Sequence, residues 1–234
     1  MIGVLKSKEE IAKGTLKVVF EVKEPFSFKA GQFCFIRISE LKFPDERGNR
    51  RHFSIVNSPN EKGIITFTTR ISESGFKKTL AELPLGAEVE LGPIGGSFTL
   101  PESPVTSLVF IAGGIGITPF MSMLSYAEEE KLAYKITLIY SNRDQDSTAY
   151  LQEVQNYELR TTSFKLILVM TEDPTWQGEK RMVDASFIKD YFPDPNAQKF
   201  MVVGPPPMVT GVEKALIEAG INAENIQKEN FTGY

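Results

Sequence analysis

Hydrophobic residues in the first hundred positions recur in short runs that alternate with polar positions or stay apolar throughout. These runs are rich in β-branched and aromatic residues, and turns containing Gly, Pro or Asp separate them. The runs are LKVVFEV (16–22), QFCFIRIS (32–39), RHFSIVN (51–57), GIITFTTRI (63–71) and AEVELGPI (87–94). Phe76, Leu80 and Leu83 recur at helical spacing and predict one short helix. We therefore predict an N-terminal six-stranded antiparallel barrel.

The pattern changes after LPESPVT (100–106), a polar stretch with two prolines. From there, strand-sized apolar runs such as SLVFIAG (107–113) and KFMVVG (199–204) alternate with segments of helical spacing. Repetition of strand and helix up to a fifth strand predicts a doubly wound parallel sheet. The expected fold is thus a β domain over residues 1–101 followed by an α/β domain over 104–234.

Composition narrows the classes of function. The chain has 234 residues, of which 41% are hydrophobic and 24% charged, and a net charge of -4. That charge argues against a nucleic-acid partner, because such proteins usually carry a basic surface. No apolar run is long enough to span a bilayer and no signal-peptide pattern is present, so we expect a cytoplasmic protein without a membrane span.

The chain contains one cysteine, Cys34, and one histidine, His52. These counts exclude an intrachain disulfide, a four-thiolate iron–sulfur cluster and a cysteine zinc site, and they make haem or zinc chemistry implausible. We predict no metal site. Any redox chemistry should therefore use an organic cofactor, and Cys34, which lies in a strand-like run, is predicted to be a buried structural thiol.

The segment GGIGITP (113–119) follows the first strand of the second half. Its glycines allow a sharp turn, Thr118 can cap the next helix, and Pro119 suits the first helical position. A strand, a glycine turn and a helix N-terminus together form an anion site. The alternative is a glycine-rich turn without a ligand.

Two further segments have the composition of ligand-facing turns. VVGPPPM (202–208) ends the fourth strand of the second half, where the carboxyl ends of strands line a binding crevice, and Met208 begins a helix. GPIGGSF (92–98) offers a second glycine turn in the first half. Without a ligand, VVGPPPM would be explained as a rigid entry into a helix, and GPIGGSF as an ordinary turn of the barrel.

Together these segments resemble the ferredoxin–NADP reductase superfamily, in which a barrel holds a flavin and a doubly wound domain holds a nicotinamide dinucleotide. The resemblance covers essentially the whole chain. Its markers are KAGQF (29–33), RHFS followed by SP (51–59), GPIGGSF, GGIGITP, VGPPPM (203–208) and the terminal KENFTGY (228–234).

The resemblance implies roles for individual residues. Arg51 would pair with the flavin phosphate, Phe53 would lie on the isoalloxazine face, and Ser54 would hydrogen-bond the reactive ring nitrogen. His52 occupies the variable position of the motif and is interpreted as a bystander within the site. The terminal Glu229 and Phe231 match the glutamate, any residue, aromatic pattern, so Ser54, Glu229 and Phe231 form the predicted catalytic set. Tyr234 is the second candidate for the aromatic beside the flavin.

The resemblance also implies a larger cofactor-binding set, which spans both domains. It comprises Arg51, His52, Phe53, Ser54, Thr68, Thr69, Arg70, Lys77, Lys78, Thr79, Gly92, Gly95, Gly96, Gly113, Gly114, Gly116, Thr118, Pro119, Ser141, Asn142, Arg143, Tyr150, Gly204, Pro205, Pro206, Met208 and Phe231.

The sequence also departs from the superfamily pattern. Phe53 replaces a more usual tyrosine, and Lys77 takes a position often held by serine, which weakens the preference for FAD over FMN. Val203 replaces a frequent cysteine. Arg143 and Asp144 are adjacent at the end of the strand where the coenzyme ribose is expected to bind. An acidic residue there favours NADH and an arginine favours NADPH, so the choice between the two coenzymes stays open.

We therefore predict a flavin-dependent NAD(P)H oxidoreductase that uses FAD in preference to FMN and passes electrons to an unidentified acceptor, such as ferredoxin, flavodoxin or another iron–sulfur or haem protein. One alternative is a flavin reductase that releases reduced flavin. Another is the reductase subunit of a multicomponent oxygenase. A third, non-enzymatic alternative is a nucleotide-binding module.

Overall fold

The computed structural model describes residues 1–102 and 107–232. The chain divides into two compact units, Met1–Leu100 with Thr118–Lys131, and Pro101–Ile117 with Leu132–Tyr234. The predicted domain boundary lies between residues 101 and 104. Because residues 103–106 lie outside the described residues, the exact limits of the two domains stay a prediction. The helix that begins at Thr118 was expected in the second domain, but it groups with the first unit.

The first unit contains the predicted six-stranded antiparallel sheet, which confirms the fold class of this half. Its strands are β1 (Ile2–Ala12), β2 (Thr15–Val22), β3 (Phe33–Arg37), β4 (Arg50–Ser54), β5 (Ile64–Arg70) and β6 (Glu88–Gly95). They pair in the order β4-β3-β6-β1-β2-β5, so β4 and β5 are the two ends of the sheet.

Apolar side chains from these strands and from helix α1 (Gly75–Glu82) form the core of the first unit. Phe20, Phe67 and Phe76 are fully buried, and each such side chain stabilises the fold by about 1.5–3 kcal/mol. Cys34 is also fully buried, and burial raises the pKa of its thiol to about 11. This agrees with the predicted structural role for Cys34.

Helix α2 (Thr118–Glu129) packs within the first unit. The Ser122 hydroxyl donates to the carbonyl of Asn57 over 2.8 Å, and the rings of Phe98 and Phe120 meet edge to face with centroids 5.7 Å apart. Buried contacts of both kinds explain why this helix belongs with the barrel although it follows the glycine turn in sequence.

The second unit contains the predicted five-stranded parallel sheet. Its strands are β7 (Ser107–Gly113), β8 (Lys135–Asn142), β9 (Phe164–Met170), β10 (Lys199–Gly204) and β11 (Ile226–Asn230), paired in the order β11-β10-β7-β8-β9. Its helices are α3 (Leu151–Arg160), α4 (Ala185–Tyr191) and α5 (Pro206–Glu218). The order reverses beside β7, so the crevice at the carboxyl ends of β7 and β10 is the expected ligand site of this fold.

Among the residues that the structure describes, none of the helices combines the length and hydrophobicity needed to cross a bilayer. Over 1–102 and 107–232, no group of three or more His, Cys, Asp or Glu side chains is arranged to hold a metal ion.

Candidate functional sites

Strand β4 separates the residues of the RHFS motif onto two faces. Arg51 pairs across the sheet with Ile36, and Phe53 pairs with Cys34, so these two motif residues share one face. Ring centroids place Phe53 5.9 Å from Phe67 and 6.2 Å from Phe76.

His52 lies on the opposite face of β4, with its ring 5.0 Å from Phe33 and 5.4 Å from Phe35. Burial, with a smaller contribution from Arg47, lowers the pKa of His52 below its usual value, so the ring is neutral at pH 7. The structure thus brings Arg51 and Phe53 together and separates His52 from them. This placement suits the interpretation of His52 as a bystander.

Arg51 is only 8% exposed, and its terminal nitrogens are directed at the chain itself. Nη2 donates to Oδ1 of Asp45 over 2.5 Å, and Nη1 donates to the carbonyls of Arg47, Gly48 and Arg50 over 2.9, 3.0 and 2.7 Å. The guanidinium also lies 5.2 Å from the centre of the Phe76 ring. Asp45 was not among the residues selected from the sequence.

Asp45 also accepts hydrogen bonds from the first turn of helix α1. Its Oδ2 accepts hydrogen bonds from the amide of Phe76 over 2.9 Å and from the hydroxyl of Ser74, the N-cap residue, over 2.7 Å. The Phe76 amide is the main reason why the pKa of the Asp45 carboxyl lies far below its ordinary value. A carboxylate of this chain therefore occupies an anion site made by an arginine and a helix N-terminus.

Lys77 adds a further positive charge beside this site. It is only 5% exposed, and burial, followed by the charges of Arg47 and Arg51, lowers its pKa to about 8. Arg51 and Lys77 are both buried beside the first turn of α1, and cationic side chains at a helix N-terminus suit a phosphate-bearing cofactor. The residues at this end of the barrel therefore fit a flavin phosphate.

Other members of the predicted flavin set contact the chain in different ways. Lys78 forms an exposed ion pair with Glu73, the Thr79 hydroxyl accepts the amide of Phe43 over 3.2 Å, and Nη1 of Arg70 donates to the Thr15 hydroxyl over 2.6 Å. Ser54, Thr68 and Thr69 are buried.

The GPIGGSF segment packs against β3. Gly92 and Gly96 have positive φ values of 103° and 106°, and a Cβ on Gly96 would lie 3.1 Å from the Phe33 ring. Gln32 fixes the segment by donating from Nε2 to the carbonyl of Gly96 over 3.1 Å. Glycine at position 96 therefore satisfies both a backbone requirement and a close ring contact.

In the second unit, the glycine turn contacts the end of β10 closely. A Cβ on Gly113 or Gly204 would lie 2.8 or 2.7 Å from Sδ of Met208, and a Cβ on Gly116 would lie 2.5 Å from the carbonyl oxygen of Val203. Gly116 is therefore required by packing against the backbone of β10, whereas a side chain at Gly113 or Gly204 would require the Met208 side chain to move. Gly114 begins a 3-10 turn, Gly114–Ile117, with φ at +52°, and helix α2 follows directly at Thr118 and Pro119.

The end of β8 presents Ser141, Asn142 and Arg143. Asn142 is only 6% exposed, and neither its amide nitrogen nor its amide oxygen has a hydrogen-bond partner among the described residues. Arg143 is exposed, with Nε 3.9 Å from Oε1 of Glu172. Tyr150 is buried at the start of α3 with φ at +58°.

The last described strand delivers Glu229 and Phe231 to the carboxyl edge of the second sheet. Glu229 pairs with Val203 in the parallel register of β10 and β11, and the Phe231 amide donates to the carbonyl of Gly204 over 2.9 Å. Oε2 of Glu229 is buried without a hydrogen-bond partner in this part of the chain, and burial raises the pKa of its carboxyl to about 7. Tyr234, the second aromatic candidate, lies outside the described residues, as does Gly233.

Comparison with protein families assigns both halves of the chain. Residues 3–99 match the oxidoreductase FAD-binding domain, and residues 110–214 match the oxidoreductase NAD-binding domain.

Similar proteins include reductase components of larger systems. The reductase component DmpP of phenol 2-monooxygenase from Pseudomonas sp. (strain CF600) is 26% identical over 234 residues, which cover 98% of this chain and 65% of that protein. Sulfhydrogenase 1 subunit gamma from Pyrococcus furiosus is 29% identical over 211 residues, which cover 88% of this chain and 69% of that protein. The chain thus spans about two thirds of the length of these relatives.

Solved structures share the fold. A ferredoxin NADP+ reductase from Neisseria gonorrhoeae with bound FAD and NADP superposes with a TM-score of 0.82 at 20% identity, covering 98% of each chain. The Amycolatopsis cytochrome P450 reductase GcoB gives a TM-score of 0.84 at 22% identity, covering 99% of this chain and 69% of that one. Two consecutive domain matches on this two-part fold show that the chain belongs to the ferredoxin–NADP reductase superfamily, with an FAD-binding domain followed by an NAD-binding domain.

Proposed function

We propose that the protein is an NAD(P)H-dependent flavoprotein reductase that holds FAD and passes its electrons to a separate acceptor. The observation that carries this proposal is the buried Arg51–Asp45 ion pair beside the buried Lys77 at the N-terminus of α1, in a domain of the FAD-binding family. Cationic side chains at a helix N-terminus suit a phosphate group. A phosphate-bearing resident cofactor supplies that group.

When bound, FAD supplies two-electron chemistry with a reduced nicotinamide and can deliver electrons onward singly or in pairs. The chain supplies binding, alignment and exclusion of water. Phe53 would stack on the flavin and Ser54 would hydrogen-bond it, while Lys77 and its neighbours would hold phosphate. No acid–base residue is needed for this reaction, which agrees with a neutral His52 on the opposite face of β4.

The second domain would bind the coenzyme at the carboxyl edge of its sheet. The side chains proposed there are the amide of Asn142, the guanidinium of Arg143 and the aromatic ring of Phe231. Glu229 has a pKa of about 7, so its carboxyl can be neutral or charged near physiological pH. A neutral carboxyl both donates and accepts a hydrogen bond, which suits contact with a carboxamide.

We propose the kind of electron acceptor from the multicomponent systems to which similar proteins belong. One of them is the reductase component of a phenol 2-monooxygenase, and another is a sulfhydrogenase subunit. These names favour a reductase within a multicomponent system, and the acceptor that we propose for it is an iron–sulfur or haem protein in the cytoplasm. The second candidate is a reductase that releases its reduced flavin.

The deciding experiment is reconstitution with FAD, gel filtration, and anaerobic titration with NADH and NADPH while the oxidised-flavin absorption is followed. We expect FAD to stay bound and its absorption band to bleach. Loss of FAD on the column, with NAD(P)H oxidation that depends on added flavin, would favour the releasing reductase. A protein that binds neither FAD nor FMN at micromolar concentration would overturn the flavin assignment.

The same assay tests coenzyme choice. If Arg143 contacts the 2′-phosphate, Arg143→Ala should raise the KM for NADPH about ten-fold and leave that for NADH unchanged, because a charge-assisted contact is removed. Arg160→Ala, at the end of α3 in the same domain, is the control. Equal effects of Arg143→Ala on both coenzymes would reject this role.

A further inference from the structure

The backbones that follow β8 and β9 stay paired beyond the ends of the two strands. The amide of Thr171 donates to the carbonyl of Asn142 over 2.9 Å. One position further on, the amide of Glu172 donates to the carbonyl of Arg143 over 2.8 Å. These bonds continue the parallel register of the two strands, in which Asn142 lies beside Met170. They hold Glu172 next to Arg143, although the two residues are distant in sequence.

The side chains of Glu172 and Arg143 form an exposed ion pair. Nε of Arg143 lies 3.9 Å from Oε1 of Glu172, and the two side chains are 78% and 67% exposed. This separation is too long for a hydrogen bond, so the carboxylate balances the charge of the guanidinium without fixing its orientation. A phosphate that approached Arg143 would therefore meet an anion beside it.

Further carboxylates lie in the same two loops. Segments 141–150 and 171–176 contain one cation, Arg143, and four carboxylates, those of Asp144, Asp146, Glu172 and Asp173. Asp173 is 9% exposed and accepts a hydrogen bond from Nε2 of Gln145 over 3.0 Å, which links the two loops. Hydrogen bonds from Thr175 and Gln145 hold the pKa of Asp173 far below its ordinary value, so this carboxylate is charged at neutral pH. The local charge around Arg143 is therefore negative.

The end of β8 is also where this fold distinguishes its two coenzymes. NADPH differs from NADH only in a phosphate on the 2′-oxygen of the adenosine ribose. In doubly wound sheets an arginine near this position accommodates the phosphate, whereas an acid accepts the 2′-hydroxyl of NADH. Asn142 indicates a ligand at this strand end, because its amide is buried without a partner among the described residues. Coenzyme choice then depends on whether Arg143 acts alone or beside a balancing anion.

We propose that Glu172 is a specificity-determining residue of the coenzyme site: its carboxylate balances Arg143 and repels the 2′-phosphate, so the reductase uses NADH in preference to NADPH. This inference rests on the proposed function. Arg143 and Asp144 do not decide the choice by themselves, because the deciding charge comes from the end of the neighbouring strand.

The test measures binding of NAD+ and NADP+ to the FAD-loaded full chain by calorimetry. The wild-type protein should bind NAD+ at least about ten-fold more tightly than NADP+. Glu172→Gln should tighten NADP+ binding about ten-fold and change NAD+ binding less than about two-fold, because one charge that repels the phosphate is removed. Raising the ionic strength should narrow the wild-type difference, since both side chains of the pair are exposed to screening.

Glu218→Gln is the matched control. Glu218 also forms an exposed ion pair, with Oε1 3.7 Å from Nζ of Lys214, but it lies at the end of α5 in the same domain. This variant should leave both affinities unchanged. The double variant Glu172→Gln/Arg143→Ala should lose the gain in NADP+ affinity, because that gain depends on the arginine that the carboxylate balances.

A wild-type protein that binds NADP+ as tightly as NAD+, or more tightly, would overturn the inference. It is also overturned if Glu172→Gln changes neither affinity or both equally, or if its gain persists without Arg143. Bleaching of bound FAD separates this failure from failure of the proposed function. If NADPH bleaches FAD faster than NADH does, the reductase stands and the role of Glu172 fails; if neither coenzyme bleaches it, both fail.

Discussion

Two buried asparagines, one in each domain, differ in how their amides are satisfied. Asn57 and Asn142 are each 6% exposed, one in each domain. Asn57 donates from Nδ2 to the carbonyl of Ile64 over 3.0 Å and accepts the amide of Thr66 at Oδ1 over 2.8 Å. Neither amide atom of Asn142 has a partner within the described chain.

The same contrast separates the two candidate sites. Asp45 and Arg51 are bonded on several sides by the barrel domain, whereas Glu229 buries an oxygen without a partner in the described residues of the NAD-binding domain. A site whose polar side chains are already hydrogen-bonded within the chain suits a cofactor that stays bound. Polar groups left unsatisfied suit a ligand that arrives, completes their hydrogen bonds and leaves.

The largest expected effect comes from exchanging the two asparagines for leucine. Asn57→Leu should lower the free energy of unfolding by about 3 kcal/mol, because it leaves the Thr66 amide and the Ile64 carbonyl without partners. Asn142→Leu should instead raise it by about 1 kcal/mol, since an unsatisfied buried amide is replaced by an apolar group. Urea unfolding measures both.

Coenzyme binding completes this test. Asn142→Leu should weaken NAD(P)H binding even as it stabilises the protein, and Asn57→Leu should change coenzyme affinity little. If Asn142→Leu destabilises the protein as much as Asn57→Leu does, the contrast between the two asparagines is wrong.

An intermediate effect is expected from Gly75→Ala. The new methyl group would overlap the carbonyls of Pro44 and Phe43, so the loop that carries Asp45 would have to move away from α1. We expect this movement to lower the free energy of unfolding by about 2 kcal/mol. Gly211→Ala in helix α5 is the control: nothing lies within 4 Å of its Cβ position, and alanine there should stabilise the helix by about 0.5–1 kcal/mol. Thermal unfolding compares the two. A Gly75→Ala protein as stable as wild type would show that the loop does not hold rigidly to the helix.

The smallest effect concerns Glu229 and pH. Its pKa is raised from 4.5 to about 7 in the folded protein, so the folded state binds more protons than the unfolded state between these values. Unfolding free energy should therefore fall as pH rises from 4.5 to 7, by about 1 kcal/mol once solvent screening is allowed for. Glu229→Gln should remove that slope in denaturation curves measured across this range. A slope retained by the variant would exclude Glu229 as its source.

Most of the fold could be predicted because apolar spacing reports local structure directly. Strand β1 (Ile2–Ala12) was missed, since its run KSKEE is exposed and lacks alternation, and the strand is held by pairing with β2 and β6. Pairing between segments that are distant in sequence leaves no local pattern.

Motifs in the sequence name candidate site residues, but they do not show where the chain folds back onto itself. PDERGN (44–49) indicates a turn, but nothing in it shows that Asp45 reaches the first turn of α1, about thirty positions later. The missing partners of Asn142 could not be predicted either, because satisfaction of a buried amide depends on the whole surrounding structure. The choice between NADH and NADPH stays a prediction to be tested at Arg143.

Helix α2 has a consequence for the order of events during synthesis. Residues 118–131 pack with the barrel domain, but they are translated after the first strand of the NAD-binding domain. At bacterial and eukaryotic rates of 5–20 residues per second, the ribosome takes about 2–6 s to pass from residue 100 to residue 131. During that interval Phe98 and the carbonyl of Asn57 lack the partners that Phe120 and Ser122 later provide. The packing of α2 on the barrel is therefore completed only after synthesis of the neighbouring domain has begun, and a chain that ends at residue 101 would lack both contacts.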